Sequence, residues 1–154
     1  MAPYKRCFTL DFLDRCSPQI REFYEYWESA RRGRPMPARA DIDPVEIPRL
    51  LPSVVLVDVG YDPVRLRYRL VGTREVEVRG HDPTGLDVAQ HGYGTDREEV
   101  FKSYMLVVER KALVYDEEPA DTQHPVLREV GTLMAPLSTD GERVDMIFAY
   151  VDYR

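Results

Sequence analysis

Apolar residues recur with a helical period in SPQIREFYEYWESARRG, where Ile20, Phe23, Tyr24 and Trp27 fall at i, i+3, i+4 and i+7 and form one bulky face. Ser17 is a good cap ahead of that face and Pro18 a good first helical residue, while Gly33 behind Arg31 and Arg32 makes a stop. The spacing therefore predicts a helix between Ser17 and Gly33 whose apolar stripe needs cover. Prolines then punctuate RPMPARADIDPVEIPRLLP: Asp43, Pro44 and Glu46 hold the cap, first and third positions of a short turn, and Pro48 and Pro52 keep it short. Ile42, Ile47, Leu50 and Leu51 make this an ordered strap rather than a free linker.

The period then changes to that of strands. SVVLVDVG is a nearly unbroken apolar run, which suits a strand covered on both faces. After a turn at Asp62-Pro63, RLRYRLVG alternates, with Leu66, Tyr68 and Leu70 on one face and Arg65, Arg67 and Arg69 on the other, as expected near a sheet edge. Gly72 lets the chain leave the sheet, Thr73 caps a short helix carrying Val76 and Val78, and Gly80 and Gly85 permit tight turns. The segment from Gly92 to Lys111 predicts a longer helix capped by Thr95 with Glu98 three residues on, and its stripe includes Val100, Phe101, Tyr104, Met105, Val107 and Val108. Apolar runs at Leu113 to Tyr115, in VLREVGTLMAPLS and in RVDMIFAYVDY predict three more strands, the last two joined by a turn at Asp140-Gly141. In the last run Val144, Met146, Phe148 and Tyr150 are apolar on one face and Ile147, Ala149 and Val151 on the other, so it belongs in the centre beside the run from Val54 to Val59.

The predicted architecture is α+β: a five-stranded antiparallel sheet in the order 2-1-5-4-3, helices over one face, and an N-terminal helical extension and strap over residues 1–52 ahead of a domain over 53–154. In this order of elements the chain resembles the PAS domain superfamily, and more closely a bacterial PAS-like family formerly classed as a domain of unknown function. The resemblance is carried by YEYWESARRGRPMPARADIDPVEIPRLLPSVVLVDV, RYRLVGT, RGHDPTG and APLSTDGERVD, and runs from about Ser17 onward. It implies short helices arched over the concave face of a sheet, a pocket beneath them, and ligands of the kind PAS domains hold, including haem, flavin, chromophores and small metabolites.

The candidate pocket is lined by Leu66, Tyr68, Leu70, Val76, Phe101, Tyr104, Met105, Leu133 and Phe148, with the Tyr68 and Tyr104 hydroxyls as polar tips; it would suit a small, mostly apolar ligand. The competing reading is that these residues fill a close-packed core. No cofactor is identified. A light-sensing flavin adduct needs a pocket thiol, and no cysteine follows Cys16; haem-binding relatives carry a histidine on the long helix, and residues 96–110 contain none. His81, His91 and His124 match no metal-ligand spacing and are read as loop residues. Arg65, Arg67 and Arg69 are read as a solvated strand face. Neither Cys16 with a histidine nor Asp116, Glu117 and Glu118 has the spacing of a nucleophile–base or acid–base pair, and DEEPAD is read as a solvated acidic loop.

Composition narrows the partners. At 154 residues the chain is one domain's worth, and its net charge of -6 argues against nucleic acid and anionic membranes. No apolar run reaches a membrane span, MAPYKRCFTLDF lacks a secretion signal, and Cys7 and Cys16 read as free thiols, so a cytoplasmic protein is expected. The expected function is a non-enzymatic PAS-like sensory or regulatory module that binds a small ligand, a protein partner, or both. The alternative is a ligand-free homodimerisation or interaction module with a filled core. Because the chain closes just after its last strand, the signal is expected to leave by association. The stripe of Ile20, Phe23, Tyr24 and Trp27 either covers the sheet's outer face or, as the resemblance implies, forms a homodimer interface.

Overall fold

The computed structural model describes residues 4–93, 96–119 and 129–154. Its strands are β1 (Lys5–Cys7), β2 (Val54–Gly60), β3 (Arg65–Val71), β4 (Val114–Pro119), β5 (Glu129–Leu137) and β6 (Met146–Tyr153), all in one antiparallel sheet in the order β1-β4-β5-β6-β2-β3. The helices are α1 (Pro18–Ala30), α2 (Thr73–Arg79), α3 (Val88–His91) and α4 (Arg97–Arg110), with short 3-10 turns between Arg39 and Ser53. The doubly apolar strands β2 and β6 pair at the centre, Leu56 opposite Phe148 and Val55 opposite Ala149.

The predicted strand count and order are corrected by β1. It adds a sixth strand at the far edge, pairing with β4 so that Lys5 lies opposite Glu117, whose carboxylate accepts from Arg15 Nε at 2.7 Å. Three residues of mixed polarity carry no alternation, which is why the pattern along the chain did not reveal it. The 1–52 segment thus contributes a strand as well as a covering layer to the same sheet.

Two apolar cores lie on opposite faces of that sheet, as the period of two along each strand requires. On one face α1 lays Ile20, Phe23 and Trp27 against Leu56, Leu133, Leu137 and Phe148, with the Phe23 and Phe148 rings 4.3 Å apart. Trp27 also donates its indole N–H to the Pro136 carbonyl at 3.0 Å. The predicted cap is present: the Ser17 hydroxyl accepts from the Ile20 amide. On the other face α4 packs Tyr104, Val107 and Val108 onto Val57, Leu66, Tyr68, Ile147 and Val151.

Local details depart from the pattern at four places. The β2–β3 register shifts between Leu56 and Val57, so Leu56 pairs with Leu70 while Val57 pairs with Tyr68, leaving Arg69 as a bulge. The extra residue turns Leu70 out to solvent, 44% exposed, and puts Val71 into the core instead. Gly72, not Thr73, is the α2 cap, and its value is proximity: a Cβ there would lie 2.3 Å from the Pro52 carbonyl oxygen. Thr95 falls outside the described residues, and Asp96 caps α4 by accepting from the Glu99 amide at 3.1 Å. Finally, β4 runs on to Pro119, so Asp116 and Glu118 are buried strand residues rather than members of a solvated acidic loop.

Candidate functional site

α2 ends where Gly80 turns left-handed (φ 84°) and returns its amide to the Val76 carbonyl at 2.8 Å. Within this short helix Glu75 and Arg79 stand four apart on the face toward the sheet. Arg79 Nε meets Glu75 Oε1 at 2.8 Å, and both side chains are almost wholly buried. Tyr153, at the end of β6, donates its hydroxyl to the same Glu75 oxygen at 3.1 Å. The Arg79 guanidinium also stacks 4.8 Å from the Tyr68 ring and 5.5 Å from the Tyr93 ring. Burial works against the charge on Arg79, but Tyr68 and Glu75 more than offset it and keep the guanidinium protonated. Burial, reinforced by the Glu75 charge, pushes the Tyr153 hydroxyl far above its ordinary range, so it acts as a donor.

A second polar cluster joins β1, α4 and β4. Tyr4 donates to Asp116 Oδ2, and its hydroxyl lies 3.0 Å from Ser103 Oγ. Arg6 Nε donates to Ser103 Oγ at 2.8 Å, while Arg6 Nη2 reaches both the Glu99 carbonyl and the Glu99 carboxylate at 2.8 Å. Arg6 Nε lies 3.8 Å from Asp116 Oδ1. Burial raises the Asp116 carboxyl to about 6 even though Ser103, Tyr4 and Arg6 pull the other way.

Between the two clusters lies a cavity of about 30 Å³. Its polar lining comes from Tyr4, Glu75, Arg79, Tyr93, Tyr104, Asp116, Glu118, Thr132 and Tyr153, and its apolar lining from Val100, Val130, Met134 and Val151. At roughly 10–15 Å³ per water this volume holds two or three small atoms' worth of guest, far less than the roughly 300 Å³ of an ordinary small-molecule pocket. Glu75 Oε2 and Asp116 Oδ1 are buried with no hydrogen bond. Two acceptor atoms at the cavity wall are thus left to be answered by whatever occupies it.

Of the residues predicted to line a pocket, Tyr104 alone lines this cavity. Leu66 and Tyr68, each 1% exposed, are packed into the core on the same face, with Val76, Phe101 and Met105 partly buried against it. Leu70 lies outside, because of the bulge. Leu133 and Phe148 sit on the opposite face against α1, since both faces of their strands are apolar and alternation alone does not say which one the helices roof. Of the two roles expected for the α1 stripe, cover for the sheet's outer face is the one it fills, in place of a homodimer interface. Ile20, Phe23 and Trp27 are buried within their own chain, and Tyr24 is half-buried, edge-on to Phe12 at 6.1 Å. Sequence reasoning passed over Glu75, Arg79 and Tyr153 and read Asp116 and Glu118 as solvated; the usable signal was an acid and a base four apart in a helix too short to hold a buried charge alone, together with Asp116 and Glu118 alternating with Tyr115 in a strand.

Arg65, Arg67 and Arg69 are exposed, Arg69 with Asp58 at 3.8 Å. His81 is exposed and His91 half-buried, and His124 lies outside the described residues. Among the described residues no cluster of three or more His, Cys, Asp or Glu side chains could hold a metal ion, and no helix is long and apolar enough to cross a membrane.

The antiparallel sheet thus carries α4 and the shorter α2 and α3 on one face, with a small polar cavity under α2 and α4, and α1 on the other. A family model described as a PAS domain matches residues 15–151, and the chain belongs to that family. No curated protein matches the chain.

Proposed function

We propose that the protein is a cytoplasmic, non-enzymatic PAS module of sensory or regulatory type that receives a small ligand in the cavity under α2 and α4. Its output is association with a protein partner, a second copy included, through a surface other than the α1 stripe. The observation carrying this reading is the partly enclosed cavity with two buried carboxylate oxygens, Glu75 Oε2 and Asp116 Oδ1, that lack donors. Leaving a buried acceptor unsatisfied costs roughly 1–3 kcal/mol, and a ligand that brings donors recovers that amount. The lining makes the ligand small and polar rather than mostly apolar. Arg79 and Tyr153 both donate to Glu75, and Tyr4 donates to Asp116, which supports recognition rather than proton transfer. The free thiols Cys7 and Cys16 suit a reducing compartment.

A ligand-free interaction module is the second reading, favoured by the close burial of Leu66 and Tyr68 and by the small size of the cavity. Native mass spectrometry of freshly purified protein separates the two and reports stoichiometry at the same time. A retained small molecule that is lost in Val130→Leu, which narrows the cavity, supports the sensory reading. Bare protein throughout, with Val130→Leu destabilised by the roughly 1–3 kcal/mol of an overpacked core, supports the second.

A further inference from the structure

We infer that the cavity under α2 and α4 binds a small primary ammonium ligand, a short alkylamine in its protonated form. This rests on the reading that the cavity is the ligand site, and adds the chemical class. Among the described residues the wall carries the carboxyl groups of Glu75 and Asp116, each with one oxygen unbonded, and the guanidinium of Arg79. Arg79 is already committed to Glu75 Oε1 at 2.8 Å, and the other nearby cation, Arg6, is held by Glu99 at 2.8 Å and stays 3.8 Å from Asp116. The wall is therefore acid-rich, and a guest of positive charge is the one it favours.

The atoms left open agree with that charge. Glu75 Oε2 and Asp116 Oδ1 only accept, and an ammonium group brings three donors and no acceptor. Tyr104 and Tyr153 at the wall add aromatic surface, and Val130 and Val151 give an alkyl stem apolar surface. An anion would meet the carboxylates with the wrong sign. A neutral alcohol would satisfy an acceptor but leave the charge in place. A volume of about 30 Å³ limits the guest to the size of methylammonium or ethylammonium.

The test is a titration of the full chain followed by amide NMR and thermal unfolding, with methylammonium or ethylammonium chloride set against sodium chloride at equal ionic strength, ethanol and sodium acetate. Saturable shifts at the amides of Glu75, Asp116, Val130 and Val151, with a rise in Tm beyond that given by sodium chloride, are expected for the ammonium salts alone. Val100→Leu adds one methylene at the partly buried edge of the cavity and should weaken ammonium binding about tenfold or more, and Asp116→Asn should weaken it while leaving the fold intact. Ammonium shifts no larger than those of sodium chloride, or unchanged in Val100→Leu, overturn the proposal. If ethanol or acetate saturates those amides and ammonium does not, the ammonium class is wrong while the ligand site stands. If no titrant moves them, both the class and the sensory reading fall.

Discussion

The Tyr153 hydroxyl donates to Glu75 Oε1 at 3.1 Å across 78 residues of chain, so the last strand and the roof helix meet at one buried carboxylate. The same oxygen receives Arg79, which makes Glu75 the joint between α2 and the sheet. Tyr153→Phe keeps the ring and removes one donor to a charged acceptor, with an expected loss of about 1.5–3 kcal/mol in urea unfolding. Arg79→Met leaves the carboxylate without its cation and should cost more, about 3–5 kcal/mol, part of which the double change Glu75→Leu with Arg79→Met recovers. Equal losses from the two single changes would contradict the pairing.

Asp116 sets a pH dependence. Its carboxyl is raised by burial to about 6, above the ordinary 3.8 of an aspartate, so between those values the folded chain holds a proton that the unfolded chain has released. Its contribution therefore falls as pH rises from near 4 to near 6 and is level above, a tenfold difference in proton affinity between the folded and unfolded chain being worth about 1.4 kcal/mol. Asp116→Asn should flatten this part of the stability profile measured by denaturant unfolding from pH 4 to 7. A parallel decline in parent and variant would assign it to other groups.

Trp27 tests the role of α1. Its ring is buried against the sheet and its N–H is used by Pro136, so Trp27→Ala should destabilise by about 3–5 kcal/mol and leave the species seen by light scattering unchanged. A shift in oligomeric state without loss of stability would return the stripe to an interface.

Gly72 tests the crossing of two backbones. Alanine there would press its methyl onto the Pro52 and Leu51 carbonyls, with an expected cost of about 1–3 kcal/mol in thermal or chemical unfolding. Gly80→Ala meets open space but a left-handed backbone, so its penalty comes from φ instead.

The central pairing was legible because Val54 to Val59 and Met146 to Val151 are apolar on both faces, and few places in a small domain cover a strand twice. The α1 stripe was legible for the same kind of reason: Ile20, Phe23 and Trp27 repeat at helical spacing. What stayed hidden depended on partners distant in the chain. Asp116 and Glu118 look solvated until Tyr4, Ser103 and Arg6 are brought to β4, and Glu75 looks exposed until Tyr153 arrives. The bulge at Arg69 is a register event that alternation in β3 alone cannot announce, and it moved Leu70 off the predicted face.

In β6, Tyr150 presses on Phe23 while its neighbour Val151 borders the polar cavity. One ply of backbone separates the two sides, and close-packed interiors pass strain on instead of absorbing it. With a guest in the cavity as proposed, a push on Val151 would reach α1 through Tyr150 and Phe23, as a tap on one side of a drumskin moves the other.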